Sequence, residues 1–265
     1  MLLHFTKMEG LGNDYIYVDA TRYSIPDPAA ASRVLSDRHF GIGADGLVLI
    51  GRSDRADFSM RMYNADGSEG LMCGNAARCI GRFVYEKGLT QKTCLTLDTR
   101  SGIRRLELHP GPDGRVLSVT VDMGRPSRVE PGVKVSASGR EFEGVSVDVG
   151  NPHFVIPVAD ALAVGLERIG PAIETLPCFP GGVNVEFFSV EAPGRVRMRV
   201  WERGSGITLA CGTGACATAA AAMALGLAED KCTVVMDGGS LEIENRGNLF
   251  MTGPATPVFE GYIDI

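Results

Sequence analysis

Short runs of β-branched and aromatic residues recur along the whole chain, separated by turn-forming pairs such as Gly-Pro, Asp-Gly and Gly-Gly. Such runs are typical of β-strands, because branched and aromatic side chains pack well on a pleated surface. Strands are predicted at residues 14–19, 46–50, 58–63, 93–98, 116–122, 144–149, 154–158, 183–190, 195–201, 232–236 and 240–244. Helices are predicted at residues 29–37, 73–87, 161–174 and 211–227. The pattern therefore predicts a mixed α/β fold with more strands than helices.

Two of the predicted helices begin with the same dipeptide, Cys73-Gly74 and Cys211-Gly212, and their cysteines lie 138 positions apart. The same offset relates two further polar pairs, Gly12-Asn13 with Gly150-Asn151 and Asn64 with Glu202. Recurrence of several polar positions at one offset indicates duplication of a half-chain unit. We expect two similar domains, residues 1–124 and 125–253, with a cleft between them that brings the two Cys-Gly loops together.

Composition and charge narrow the class of protein. The chain has 265 residues and a net charge of −6, without the Lys/Arg cluster that phosphate binding requires, so no nucleic-acid partner is expected. No apolar stretch reaches the ~20 residues of a membrane span. Seven cysteines without a Cys-x-x-Cys pair indicate reduced thiols and a cytoplasmic location. The cysteine spacings do not match a structural zinc site, and no metal is expected.

A cysteine at the start of a helix is chemically distinctive. The unpaired N–H groups and partial positive charge of a helix N-terminus favour a thiolate over a thiol. The same N–H groups suit a substrate carboxylate. If Cys73 and Cys211 lie on opposite sides of an amino acid, one can remove the Cα proton while the other delivers a proton to the opposite face. The sequence thus predicts a two-base epimerase or racemase.

Other polar residues next to predicted strand ends are candidates for the same site. His153 and Glu202 could tune the protonation of a thiol, since a cation favours the thiolate and an anion favours the thiol. Arg203 could bind a carboxylate with two hydrogen bonds. Neutral side chains suited to ammonium and carboxylate groups stand at Asn13, Asn64, Asn151 and Asn184.

Five segments together resemble one known family. They are Lys7-Met8-Glu9-Gly10-Leu11-Gly12-Asn13-Asp14, Cys73-Gly74-Asn75-Ala76-Ala77-Arg78-Cys79, Gly150-Asn151-Pro152-His153, Trp201-Glu202-Arg203-Gly204 and Ala210-Cys211-Gly212-Thr213-Gly214-Ala215-Cys216. In this order they resemble the diaminopimelate epimerase family, and the resemblance runs from Phe5 to the C-terminus.

The resemblance implies a homodimeric isomerase that uses neither pyridoxal phosphate nor any other cofactor and interconverts L,L- and meso-diaminopimelate in lysine and peptidoglycan biosynthesis. It implies two domains, each a sheet wrapped round a central helix, with the segment 254–265 returning to the first domain. Cys73 and Cys211 would be the acid and base, modulated by His153 and Glu202. The reacting centre would be bound by Asn13, Gly74, Asn75, Gly212 and Thr213, and the distant amino-acid end by Asn64, Asn151, Asn184 and Arg203.

Two positions depart from the family pattern: Ala76 replaces a usual Gly, and Ile207 replaces a usual acidic residue near the Cys211 loop. Two other functions therefore stay open. One is a cofactor-independent racemase of another amino acid, such as histidine or lysine, on the same fold. The other is an amino-acid-binding protein without catalysis, which would have no use for the two thiols.

Overall fold

The computed structural model describes all 265 residues and contains two compact units. The N-terminal unit comprises Met1–Val121 and Gly253–Ile265, and the C-terminal unit comprises Asp122–Thr252. Each unit contains one sheet and two helices. No helix combines the length and the apolar character needed to cross a membrane.

The elements of the first half, in chain order, are β1 (Leu2–Gly10), β2 (Asn13–Asp19), α1 (Pro28–Leu35), β3 (Gly46–Gly51), β4 (Phe58–Asn64), β5 (Glu69–Gly70), α2 (Gly74–Glu86), β6 (Cys94–Thr99), β7 (Gly102–Pro110) and β8 (Val116–Gly124). Those of the second half are β9 (Arg128–Ala137), β10 (Arg140–Asp148), β11 (Pro152–Pro157), α3 (Leu166–Glu174), β12 (Asn184–Ala192), β13 (Arg195–Glu202), β14 (Gly206–Ile207), α4 (Gly212–Ala224), β15 (Lys231–Met236), β16 (Gly239–Asn245), β17 (Leu249–Gly253) and β18 (Thr256–Asp264). The predicted mixed α/β class is confirmed.

The two sheets have the same strand order and the same strand directions. In the N-terminal unit the order is β18-β1-β2-β3-β4-β6-β7-β8, parallel only at β2–β3 and β4–β6. In the C-terminal unit it is β9-β10-β11-β12-β13-β15-β16-β17, parallel only at β11–β12 and β13–β15. Strand β18 thus pairs with β1 as β9 pairs with β10. The same topology occurs twice in the chain.

The 138-residue offset also relates individual elements and residues. Both ends of α2 fall on the ends of α4 at this offset. Tyr15 lies opposite Gly46 in the β2–β3 ladder, and His153 lies opposite Asn184 in the β11–β12 ladder. The offset therefore identifies structurally equivalent positions in the two units.

Helix α4 lies inside the C-terminal unit, where it contacts β9 to β13, β15 and β16. Ten of its thirteen residues are buried, and most of these are Ala or Gly. Small side chains on every face allow strands to approach the helix from several directions, which explains why α4 has no polar stripe. Helix α2 in the N-terminal unit also has ten buried residues, and it contacts β1, β2 and β7.

Several predicted boundaries were wrong. Helix α3 begins at Leu166 rather than at 161, because the preceding backbone bonds to side chains outside the helix. The Ala161 N–H donates to Ser189 Oγ (3.2 Å), and the Leu162 N–H donates to Asp160 Oδ1 (2.8 Å). The sequence pattern also missed β1, β5, β7, β9, β14 and β17, and the C-terminal strand β18 was expected only from the family resemblance. Strands β7 and β9 carry many charged or exposed residues, and β9 is exposed along its first half.

Candidate active site

Cys73 is the N-cap residue of α2, in extended backbone conformation with φ −132° and ψ 122°. Its thiol lies 3.4 Å from Oδ1 of Asn13, which opens strand β2. The Asn75 side chain, in the first turn of α2, donates to the same oxygen over 3.3 Å. The start of the helix and the start of the strand thus bring together three of the predicted site residues.

The orientation of Asn13 is set by Asp45, a residue that the sequence prediction missed. Asn13 Nδ2 donates to Asp45 Oδ2 over 2.8 Å, so the amide oxygen of Asn13 is the atom turned towards Cys73. Asp45 is itself paired with Arg38 (3.0 Å). A carboxylate that immediately precedes strand β3 was the only sequence signal for this contact.

Cys211 is the N-cap residue of α4, again extended, with φ −119° and ψ 112°. The Gly214 N–H donates to its sulfur over 3.3 Å, and the Thr213 hydroxyl oxygen lies 3.5 Å from the sulfur. Cys211 is buried, with 6% of its surface exposed. Two groups in the first turn of α4 therefore surround this thiol.

Burial and nearby carboxylates raise the pKa of Cys211 well above its ordinary value. Burial is the largest cause, followed by the charges of Glu202 and Glu186, while the contacts with Thr213 and Gly214 act in the opposite direction. Burial also raises the pKa of Glu202, and hydrogen bonds with Thr208 and Cys211 oppose that rise. The environment favours the neutral thiol of Cys211.

His153 is fully buried beside a second carboxylate that the sequence prediction also missed. Its Nδ1 lies 2.7 Å from Glu186 Oε1, and its Nε2 lies 3.1 Å from Asn151 Oδ1. Asn151 Nδ2 donates to Thr213 Oγ1 over 3.3 Å. Glu186 stands in the middle of the buried, mostly apolar strand β12, and a charged residue in such a strand is the signal that could have identified it.

The residues predicted to bind the distant end of the substrate have partners within the protein. Asn184 donates from Nδ2 to the Pro152 carbonyl (2.9 Å) and accepts from the Arg203 N–H (3.0 Å). The exposed Arg203 guanidinium donates to the Gly181 carbonyl (3.1 Å). Asn64 Nδ2 donates to Ser68 Oγ (3.0 Å). Gly74 and Gly212 are the first residues of α2 and α4, as predicted.

The fold places the chain among proteins built from two such sheet-and-helix units. It superposes on a hydroxyproline epimerase from Agrobacterium vitis with a TM-score of 0.73 at 18% identity, covering 99% of this chain and 92% of that one. It superposes on a PhzF-family phenazine biosynthesis protein from Bacillus anthracis with a TM-score of 0.78 at 18% identity, covering 100% of both chains. At such identities the likeness concerns the fold alone.

Sequence comparison identifies the family. The model of the family described as diaminopimelate epimerase matches residues 5–129 and 145–258. The diaminopimelate epimerase of Parabacteroides distasonis is 56% identical over 99% of this chain and 98% of its own length. That of Methanococcus maripaludis (strain C6) is 49% identical over 99% and 100%. The chain belongs to the diaminopimelate epimerase family, and its resemblance to that family is confirmed.

Proposed function

We propose that this protein interconverts L,L- and meso-diaminopimelate by moving the Cα proton between Cys73 and Cys211. The observation that carries the proposal is the occurrence, in a member of this family, of one cysteine at the N-cap of each of two equivalent helices. Relatives 45–56% identical to this chain over nearly its full length are diaminopimelate epimerases. The chain is then an isomerase that acts on a small amino-acid substrate.

In the proposed reaction, Cys73 and Cys211 act on opposite faces of one Cα atom. One thiolate takes the Cα proton, and the electron pair of the broken C–H bond delocalises into the substrate carboxylate. The other cysteine, as a thiol, delivers its proton to the opposite face and becomes the thiolate. One turnover inverts the centre and exchanges the protonation states of the two cysteines, and the reverse reaction restores them.

The helix ends supply the electrostatic part of the mechanism. N–H groups in the first turns of α2 and α4 are suited to bind the carboxylate that carries the developing negative charge. Gly74 and Gly212 keep these turns open to the substrate, next to Asn75 and Thr213. We assign the distant amino-acid end to Asn64, Asn151, Asn184 and Arg203. Each of the four makes hydrogen bonds to protein partners, and some of these would be exchanged for bonds to substrate.

The two cysteines differ in their resting state within this proposal. Because burial and the carboxylates of Glu202 and Glu186 raise the pKa of Cys211, it is the better candidate for the protonated partner. The Cys73 thiol contacts the amide oxygen of Asn13 at 3.4 Å. Cys73 would then act as the base for the stereoisomer whose Cα–H bond faces Cys73.

The cellular context completes the proposal. The reaction belongs to lysine and peptidoglycan biosynthesis, needs no cofactor, and proceeds in the cytoplasm. Thiol chemistry of this kind requires reduced cysteines, which the cytoplasm maintains. We assign the protein a homodimeric state, following the family. Sedimentation of the reduced protein tests the dimer directly, and a monomer at micromolar concentration would contradict it.

Proton NMR of meso-diaminopimelate in D2O with the reduced protein tests the reaction itself. We expect loss of the Cα–H signal with the wild type and no loss with Cys73→Ala or Cys211→Ala. Cys94→Ala, at an exposed cysteine, is the matched control and should exchange like the wild type. Exchange with histidine or lysine, but not with diaminopimelate, would show that the substrate is a different amino acid. Absence of exchange with every amino acid would refute the epimerase assignment.

A further inference from the structure

Glu174, the last residue of α3, has a carboxylate that binds both ends of the turn after strand β13. Its Oε2 accepts a hydrogen bond from Trp201 Nε1 over 2.6 Å, and its Oε1 accepts one from the Gly204 N–H over 3.0 Å. Trp201 precedes the pair Glu202-Arg203 in the chain, and Gly204 follows it. Both oxygens of one carboxylate therefore bind the turn that carries two of the predicted site residues.

The charge of Glu174 is not explained by the stability of its own helix. The C-terminus of a helix carries a partial negative charge, so a carboxylate on the last residue is unfavourable there. No basic residue in the last turn of α3 offsets this charge. The two hydrogen bonds to the turn after β13 are therefore the interactions that account for a carboxylate at this position.

A glycine of the same helix provides the space for the indole ring of Trp201. A Cβ atom at Gly170 would lie 2.5 Å from Cγ of that ring, so a larger residue would displace the indole. The indole also packs against the buried cluster that includes Ile169 and Ile173. Because this packing fixes the ring, the indole N–H is a fixed partner for Glu174 and orients its carboxylate.

The N-terminal unit binds the equivalent strand end with different groups. At the 138-residue offset α1 corresponds to α3, and Tyr63 and Asn64 correspond to Trp201 and Glu202. Ser32 Oγ, on α1, donates to the Asn64 carbonyl over 2.8 Å and lies 3.1 Å from the Tyr63 carbonyl. In both units a helix thus binds the strand end that precedes the cysteine loop, and the C-terminal unit uses a carboxylate to do so.

Glu202 is fixed by contacts that do not involve Glu174. Its backbone pairs with Gly206 in the β13–β14 ladder, and its carboxylate accepts a hydrogen bond from Thr208 Oγ1. We therefore expect Glu202 to keep its place when Glu174 is removed. Its influence on the pKa of the Cys211 thiol should then persist.

Arg203 depends more strongly on Glu174, because it lies beyond that ladder and its side chain is exposed. Its N–H donates to Asn184 Oδ1 over 3.0 Å, and its guanidinium donates to the Gly181 carbonyl over 3.1 Å. A guanidinium that binds a substrate carboxylate must leave the Gly181 carbonyl. The backbone of Arg203 is then fixed by Asn184 at its own N–H and by Glu174 at the N–H of Gly204.

We propose that Glu174 is a positioning residue for substrate binding: it fixes the turn after β13 so that Arg203 meets the carboxylate at the distant amino-acid end. This inference rests on the proposed function, which assigns that end to Arg203, whereas the hydrogen bonds of Glu174 can be measured without substrate. Glu174 acts through the backbone of the turn and does not contact the substrate. Its removal should weaken substrate binding and leave proton transfer at Cα largely intact.

The indole N–H of Trp201 reports directly on Glu174. Trp201 is the only tryptophan, so a 15N–1H correlation spectrum of the labelled protein contains one indole signal. We expect this N–H to exchange with water roughly 10-fold faster in Glu174→Ala than in the wild type, because a hydrogen bond to a charged group is lost. Glu174→Gln keeps one acceptor and should give an intermediate rate. A wild-type N–H that exchanges as fast as free indole would overturn the proposal, whether or not any variant folds.

Kinetics with meso-diaminopimelate provide the second readout. In Glu174→Ala we expect KM to rise roughly 10-fold, the equivalent of one hydrogen bond to a charged group, with kcat little changed. Glu174→Gln should give a smaller rise in KM. Glu167→Ala, at an exposed carboxylate in the first turn of α3, is the matched control and should change neither KM nor the indole signal.

A double-mutant cycle tests whether Glu174 acts through Arg203. Arg203→Ala should itself raise KM, and the addition of Glu174→Ala should then have no further effect, because the side chain that Glu174 positions is absent. Independent increases in KM from the two substitutions would contradict the proposal. So would a loss of kcat at unchanged KM in Glu174→Ala, which would place its effect on the reacting centre.

The two readouts separate this inference from the proposed function. A wild type that does not exchange diaminopimelate would refute the function, and the indole N–H would still decide whether Glu174 binds the turn. An active wild type whose KM and indole exchange are both unchanged in Glu174→Ala would refute the role of Glu174 and leave the function standing.

Discussion

The substitution Gly214→Ala adds one methyl group at the most crowded point of the Cys211 half-site. Gly214 has ordinary helical backbone angles, so alanine is conformationally allowed and would favour the helix by up to about 1 kcal/mol. The new Cβ, however, would lie 2.8 Å from Glu186 Oε1, closer than such atoms approach in proteins. The carboxylate must move, and its 2.7 Å hydrogen bond to His153 is lengthened or lost.

The expected magnitudes follow from these contacts. Loss of a buried hydrogen bond to a charged group costs about 1.5–3 kcal/mol, so the free energy of unfolding should fall by roughly 0.5–2 kcal/mol after the gain in helix propensity. We expect kcat to fall roughly 10–100-fold, because the hydrogen bonds behind Cys211 are displaced. Urea unfolding, followed by the fluorescence of the only tryptophan, Trp201, measures the free energy of unfolding. Turnover of diaminopimelate measures kcat.

Ala76→Gly is the matched control, at the equivalent position of α2. It removes a fully buried methyl group and places a glycine within a helix, which together should cost about 1–2 kcal/mol of unfolding free energy. No carboxylate occupies the equivalent strand position, so kcat should be retained. Two variants with similar losses of stability should therefore differ sharply in activity. Gly214→Ala with wild-type kcat and an unchanged free energy of unfolding would refute the reasoning.

Two further predictions concern thiol ionisation. Glu202→Gln removes a negative charge that contributes to the raised pKa of Cys211. In a Cys73→Ala background, the pH midpoint for alkylation of Cys211 should therefore fall. An unchanged or higher midpoint would contradict this prediction. Burial raises the pKa of the Cys79 thiol from 9.0 to about 12, so the folded state favours the neutral thiol. The contribution of the protonated Cys79 thiol to the stability of the folded state is complete below pH 9 and is lost as the pH rises towards 12. Between pH 9.5 and 11 the free energy of unfolding should fall more steeply in the wild type than in Cys79→Ala, by about 1.4 kcal/mol per pH unit. Equal slopes in the two proteins would exclude Cys79 as the cause of the pH dependence.

Much of the fold could be predicted from the sequence because the duplication is preserved at a constant offset. The helices α2 and α4 were predicted within a few residues, since a Cys-Gly start marks each of them and α4 continues in a long apolar run. Strands with a buried apolar face were also identified. Strand β9 was missed because side chains on an exposed strand need not be apolar. Strand β18 was expected only from the family resemblance, since its partner β1 lies at the other end of the chain.

The candidate site was only partly predictable. Cys73, Cys211, Asn13 and Thr213 are marked by their place at helix or strand starts, and the structure brings each cysteine next to one of the other two. Glu186 was missed because its contact with His153 joins residues 33 positions apart on neighbouring parallel strands. Short-range patterns carry no information about which strands become neighbours.

In the proposed mechanism, a duplicated fold carries two different proton-transfer groups. Equivalent helices present equivalent cysteines, but the residues behind them differ at three matching positions: Asn64, Val48 and Tyr15 in one half, and Glu202, Glu186 and His153 in the other. A two-base epimerase needs one thiol and one thiolate at the start of each turnover. With identical surroundings the cysteines would share one pKa, and the enzyme would often carry two thiols or two thiolates. In the proposed mechanism, burial and the carboxylates of Glu202 and Glu186 raise the pKa of Cys211 and so favour Cys211 as the thiol of the pair.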